Sequence, residues 1–152
     1  MQLTPRGMRW FLNLYPPYFF SRTHIKSISP DWREMVVVLK KSLLNRNYVG
    51  TIFGGSLYAA SDPHYMLLLI KILGIKDYII WDKGATIDFK KPARSDITYR
   101  FVITDEDLAR IDRETKEKGK YVAEFKVDGI DKEGEVCVSL LKTVYVRKKT
   151  AF

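Results

Sequence analysis

From Leu57 to Leu73 the chain is apolar on nearly every side of a helical projection, with one carboxylate, Asp62, inside the run. Such a segment predicts a helix buried all round rather than along one stripe. Pro63 leaves two readings open. One helix could run through the segment with a kink, or a helix could begin there with Asp62 as cap and Pro63 as its first residue. Gly74 marks its end. Upstream, Thr4-Pro5 reads as a cap and first helical residue. Met8, Phe11, Leu12 and Tyr15 follow at helical spacing to about Leu14, where Pro16-Pro17 stop the helix. Tyr18, Phe19 and Phe20 form an aromatic cluster, a packing lid if buried and a subunit contact if exposed. Ile25 to Ile28 and Met35 to Leu39 read as strands. The unbroken Val36-Val37-Val38-Leu39 predicts burial on both faces, and Lys40 to Gly50 reads as a polar loop.

Four further strands are predicted near Tyr78 to Lys90, Asp96 to Thr104, Tyr121 to Asp131 and Glu135 to Arg147. In the third, Tyr121, Ala123, Phe125 and Val127 share one face. Lys132-Glu133-Gly134 supplies a hairpin turn with glycine where positive φ is wanted. Asp105 to Lys118 predicts a charged helix, capped by Thr104 or Asp105, anchored by Leu108 and Ile111 and stopped by Gly119. Two strands, a buried helix and a run of hairpin-connected strands make an α+β chain.

At 152 residues, with no repeat or linker, the sequence reads as a single domain over 1–152. Its longest apolar run is well short of the roughly 20 residues that cross a bilayer, so no membrane span is expected. A lone cysteine, Cys137, in a strand pattern reads as a buried inert thiol; with no signal peptide evident, a cytoplasmic location is expected. The net charge of +8 favours anionic partners, either nucleic acid or a phosphorylated carrier such as coenzyme A. No nucleic-acid motif accompanies the charge, so nucleic acid is not expected as a partner. His24 and His64 are too few for a triad or zinc site, and no metal is expected.

The chemistry gathers at Asp62 and the glycine pair Gly54-Gly55. A carboxylate in an apolar element must be paired, hydrogen-bonded or used. Two glycines opening a helix leave peptide N–H groups free for an anion or oxyanion. The pattern N-x5-F-G-G-x6-D, formed by Asn47, Phe53, Gly54, Gly55 and Asp62, resembles hotdog-fold thioesterases of the phenylacetate-pathway type. With Asp82-Lys83-Gly84-Ala85-Thr86-Ile87-Asp88-Phe89-Lys90-Lys91-Pro92 downstream, it is similar to a subgroup of small DUF4442-like, tetrameric acyl-CoA thioesterase-like proteins. The resemblance spans about Ile25 to Lys148.

It implies a hotdog fold, an antiparallel sheet wrapped around one central helix spanning the whole segment, in a homodimer or homotetramer with active sites between subunits. It also implies hydrolysis of an acyl-CoA, or of an acyl-carrier-protein thioester, with no cofactor beyond the coenzyme A of the substrate. Asp62 would be general base or nucleophile, the Gly55 N–H the oxyanion donor, and Asn47 the group orienting water or thioester. The competing readings are an Asp62 cap, a packing contact at the glycines, and an Asn47 that stabilises its own turn. Phe53 stands where the family has histidine; it would line the channel beside Gly54, and Tyr58, Met66 and Trp81 read either as further channel lining or as core packing. Lys83, Lys90, Lys91 and Arg94 would border the coenzyme A entrance; the competing reading is plain surface charge. Because phenylalanine cannot polarise a carbonyl, a non-catalytic acyl-CoA or lipid-binding module is the alternative function.

Overall fold

A computed structural model describes residues 3–149. Six strands form one antiparallel sheet: β1 (Thr23–Ile28), β2 (Glu34–Leu39), β3 (Tyr78–Phe89), β4 (Ile97–Val102), β5 (Lys120–Ile130) and β6 (Val136–Lys148), in the order β1-β2-β4-β5-β6-β3. The predicted strands appear within two residues of their expected ends. Strict alternation is why: on β5, Ala123, Phe125 and Val127 are buried while Glu124, Lys126 and Asp128 face solvent. Gly134 turns the β5–β6 hairpin at φ +85°, and the charged helix α5 (Asp105–Lys118) starts on a Thr104–Asp107 capping box.

Two short helices, α3 (Gly54–Ala59) and α4 (His64–Leu73), replace the single helix the resemblance implied. The turn 60–63 separates them, and the Asp62–Pro63 peptide is cis. Pro63 is the N-cap residue of α4, so Asp62 is not its cap either. α4 packs against β2, β3, β4 and β6, and Tyr65 stacks on Phe125 at 4.4 Å and meets Phe101 edge-on at 5.1 Å. The sheet thus curls around α4, which is the hotdog arrangement. The helix is not buried all round, because Met66, Leu67, Ile70, Ile72 and Leu73 are only partly covered.

Two other expectations change. β2 alternates, with Met35, Val37 and Leu39 buried and Glu34, Val36 and Val38 half-buried, since only its inner face meets the core. Pro16-Pro17 do not merely end α1 (Pro5–Leu14). They open α2 (Pro16–Ser21), as prolines at the first helical positions do. Tyr18 on α2 is buried, whereas Phe19 and Phe20 are exposed.

The sheet's two ends are treated differently. At β1, the Asn13 side chain on α1 accepts from the Ile25 N–H at 2.7 Å and donates to the Ile25 carbonyl at 3.2 Å, closing that edge. At the other end, among the described residues, the twelve-residue β3 pairs only with β6 and leaves a long open edge. Among the described residues no helix is long and apolar enough to cross a membrane.

Candidate active site

β6 sends Val138, Leu140, Val144 and Val146 inward, and Lys142 sits in the same row with its side chain 1% exposed. A buried ammonium is costly unless paired. Here its Nζ donates to Asp62 Oδ1 at 2.6 Å and lies 3.7 Å from Asp82 Oδ2 and 5.3 Å from the centre of the Tyr58 ring. Asp62 comes from the turn between α3 and α4. Asp82 comes from β3, on the neighbouring strand, just before a bulge that shifts the β3–β6 register between Asp82 and Gly84.

The two carboxyls are not equivalent. Asp62 is 42% exposed and Asp82 only 17%. Burial alone would push Asp62 up, but the hydrogen bond and the charge of Lys142 reverse this and hold it below the usual aspartate value. Asp82 is pushed up to about 7, chiefly by burial, which the Lys142 charge only partly offsets; Asp62 raises it further. Among the described residues neither Asp82 oxygen has a hydrogen-bond partner of its own, so an added proton relieves the site. Near neutral pH the pair therefore holds one ionised acid facing solvent and one carboxyl that readily carries a proton.

Hydrogen bonds and ring packing surround this cluster. The Tyr18 hydroxyl donates to the Asp62 carbonyl. His64 is fully buried between Tyr18 and Phe101, with ring centroids at 5.6 and 4.7 Å. Its Nε2–H donates to the Ala60 carbonyl at 3.1 Å, and burial lowers its pKa to about 4, so it stays neutral. It is a core histidine that fixes the turn carrying Asp62.

A second feature lies elsewhere. An apolar cavity of about 440 Å³ is lined by Asn47, Ile52, Gly54, Leu57 and Phe89, with Lys91 and Arg94 also on its wall. It gathers four of the predicted residues, Asn47, Gly54, Lys91 and Arg94, and Asp62 is not among its lining. The Asn47 amide is engaged in its own turn, donating to Thr51 Oγ1 at 2.9 Å and accepting from the Thr51 N–H at 3.0 Å. The glycines answer to close packing: a Cβ on Gly54 would stand 2.9 Å from the Phe89 ring, and one on Gly55 2.3 Å from the Phe53 ring. Among the described residues, neither glycine N–H has an acceptor.

The remaining predicted residues scatter. Tyr58 joins the lysine cluster. Met66 packs on the core, and Trp81 is exposed and stacked on Tyr145 at 5.2 Å. Lys83 is on the solvent face of β3, Lys90 pairs with Asp88, and Lys91 with Glu135 at 2.9 Å. Sequence reasoning missed Lys142 and Asp82. The available signal was a lysine in phase with Leu140 and Val144, and an aspartate in phase with Ile80.

A comparison with curated proteins found no match. Among solved structures the chain is similar to a Pseudomonas aeruginosa protein of unknown function named a probable thioesterase, at 19% identity and TM-score 0.86, covering 98% of this chain and 99% of that one. It is also similar to a Chlorobaculum tepidum protein of unknown function, at 19% identity and TM-score 0.74 over 97% and 98% of the two chains. A thioesterase from Haemophilus influenzae aligns at 12% identity and TM-score 0.69 over 97% and 93%. At such identities these likenesses establish the shared fold. A family model, the domain of unknown function DUF4442, matches residues 5–146. With that match over nearly the whole chain, and a fold to go with it, the protein belongs to the DUF4442 family.

Proposed function

We propose that the protein hydrolyses an acyl thioester, of coenzyme A or an acyl carrier, with Asp62 as general base. The observation carrying this reading is the unequal acid pair on a buried lysine: an ionised, half-exposed Asp62 beside an Asp82 that holds a proton near neutrality. Asp62 would take a proton from water as the water oxygen bonds to the thioester carbon. The Gly55 N–H would meet the oxyanion, and Asp82 would protonate the sulfur as the C–S bond breaks.

Within one chain the acids and the cavity stand apart, since Asp82 and Phe89 are seven residues apart on β3, about 23 Å along an extended strand. The open β3 edge supplies the solution. If two copies pair antiparallel along β3 about a two-fold axis near its middle, the Asp82 half of each strand lies beside the Phe89 half of the other. The apolar cavity, with Lys91 and Arg94 at its rim, would then receive the acyl chain beside the partner's acids. This accords with an oligomer whose sites lie between subunits.

The test is a panel of acyl-CoAs of graded length, with a thiol-reactive dye reading release of free coenzyme A. Asp62→Asn should lower turnover at least about 100-fold with the fold intact. Mixing Asp62→Asn with a Lys91→Glu/Arg94→Glu variant should restore about a quarter of wild-type turnover, because half of the dimers formed are mixed and each of these carries one intact site of two. Turnover unchanged in Asp62→Asn would end the assignment. Ligand-induced thermal stabilisation with no thiol release from any acyl-CoA would favour the acyl-binding module, which Phe53 in the histidine position also suits.

A further inference from the structure

The α1–α2 hairpin carries an unusual surface. Met8 and Leu12 face the body of the domain and are buried, whereas the opposite side of α1 exposes Trp10 (63%), Phe11 (56%) and Leu14 (68%). Tyr15 continues this surface, stacked on Phe11 at 6.4 Å. α2 then adds Phe19 and Phe20, which meet edge-on and lie largely in solvent. Six large apolar side chains on two short helices far exceed the scattered exposure normal for a monomer.

Charge along the same segment is one-sided. The first acidic residue of the chain is Asp31; before it stand Arg6, Arg9, Arg22 and Lys26. Among the described residues none of these four forms an ion pair. Arg6 lies one turn before Trp10 on the outward row of α1, and Arg6, Arg9 and Lys26 line a common groove where α1 crosses β1. An interface between copies would place these unpaired cations against one another across the two-fold. An apolar, aromatic-rich face on a segment that carries cations and no carboxylate is instead the complement of an anionic lipid surface, where aromatic rings sit at the level of the headgroups.

We propose that the outward face of the α1–α2 hairpin seats the protein on an anionic bilayer. Trp10, Phe11, Leu14 and Phe20 enter the interface, and Arg6 and Lys26 contact phosphate. The geometry gives this contact a consequence. The buried side of α2 presents Tyr18, whose hydroxyl holds the Asp62 carbonyl, so one short helix separates the lipid-facing rings from the turn that bears Asp62. This inference stands independently of the hydrolytic reading, since it concerns binding alone.

The full-length protein is sedimented with vesicles of phosphatidylcholine alone and of equimolar phosphatidylcholine and phosphatidylglycerol. Wild type should partition onto the anionic vesicles and remain free of the neutral ones. Trp10→Ser/Phe20→Ser alters only exposed side chains, so its thermal stability should match wild type while its vesicle binding is lost. Arg6→Glu/Lys26→Glu should weaken binding at least about thirtyfold and abolish the preference for anionic lipid. Two results overturn the proposal: binding that is absent, or binding indifferent to both double variants. If, in addition, Trp10→Ser/Phe20→Ser lowers the oligomer order by light scattering, the face is a contact between copies of the chain.

Discussion

The acid pair makes a prediction whose sign can be worked through. Asp82 is pushed up from 3.8 to about 7 by burial, so between these values the folded protein holds a proton that the unfolded chain has released. Stability must therefore fall as pH rises across that window. At about 1.4 kcal/mol per tenfold, the full interval corresponds to at most ~4 kcal/mol, reduced by solvent screening on the side open to Asp62. His64 works in the opposite direction. With its value lowered from 6.5 to about 4, it contributes stability that is present above pH 6.5 and lost as pH falls toward 4. The wild-type curve alone sums two opposed slopes, and the informative quantity is its difference from Asp82→Asn. Asparagine mimics the protonated carboxyl, so the difference between variant and wild type should be smallest at the acid end of the range. It should gain relative stability as pH rises, by about 2 to 4 kcal/mol at pH 8. Urea denaturation at intervals from pH 4.5 to 8.5 reads this directly, with His64 cancelling between the two proteins. Parallel curves, or a wild type that gains on the variant with rising pH, would refute the placement of Asp82 as a buried, proton-holding acid.

Lys142→Met should cost about 3 kcal/mol at pH 8, because it leaves two facing carboxylates without their cation. Adding Asp62→Asn and Asp82→Asn to it should recover most of that loss in the same denaturation assay. Gly129→Ala should destabilise by at least about 2 kcal/mol, through a drop in melting temperature at unchanged α/β content. Its Cβ would stand 2.5 Å from Val138, 2.7 Å from the Tyr99 ring and 2.8 Å from Ile97. Should the unequal acid pair govern thioester turnover, kcat should decline above pH 7 in wild type, as Asp82 loses its proton, and show no such decline in Asp82→Asn.

The sequence by itself determined the strands, α5 and the helix stops. Each depends on contacts within a few residues: alternation on β5, the Thr104–Asp107 capping box, positive φ at Gly74, Gly119 and Gly134. It also marked Asp62 as an acid in need of a partner, without naming that partner. Only the tertiary structure decided that the apolar run divides into α3 and α4, since neither Pro63 nor the hydropathy says which way the chain leaves Ala59. Lys142 lies 80 residues from Asp62, and a strand lysine reads as solvent-facing until the strands on either side are in place. The bulge after Asp82 sets which β3 side chains face inward, and that depends on the ladder with β6. The cavity joins residues 47–57 to residues 89–94 across a chain separation that no periodicity spans. Local pattern fixes elements because a residue's neighbours in sequence are its neighbours in a helix or strand. A site assembled from a turn and two strands is fixed by packing, where charge, burial and register meet.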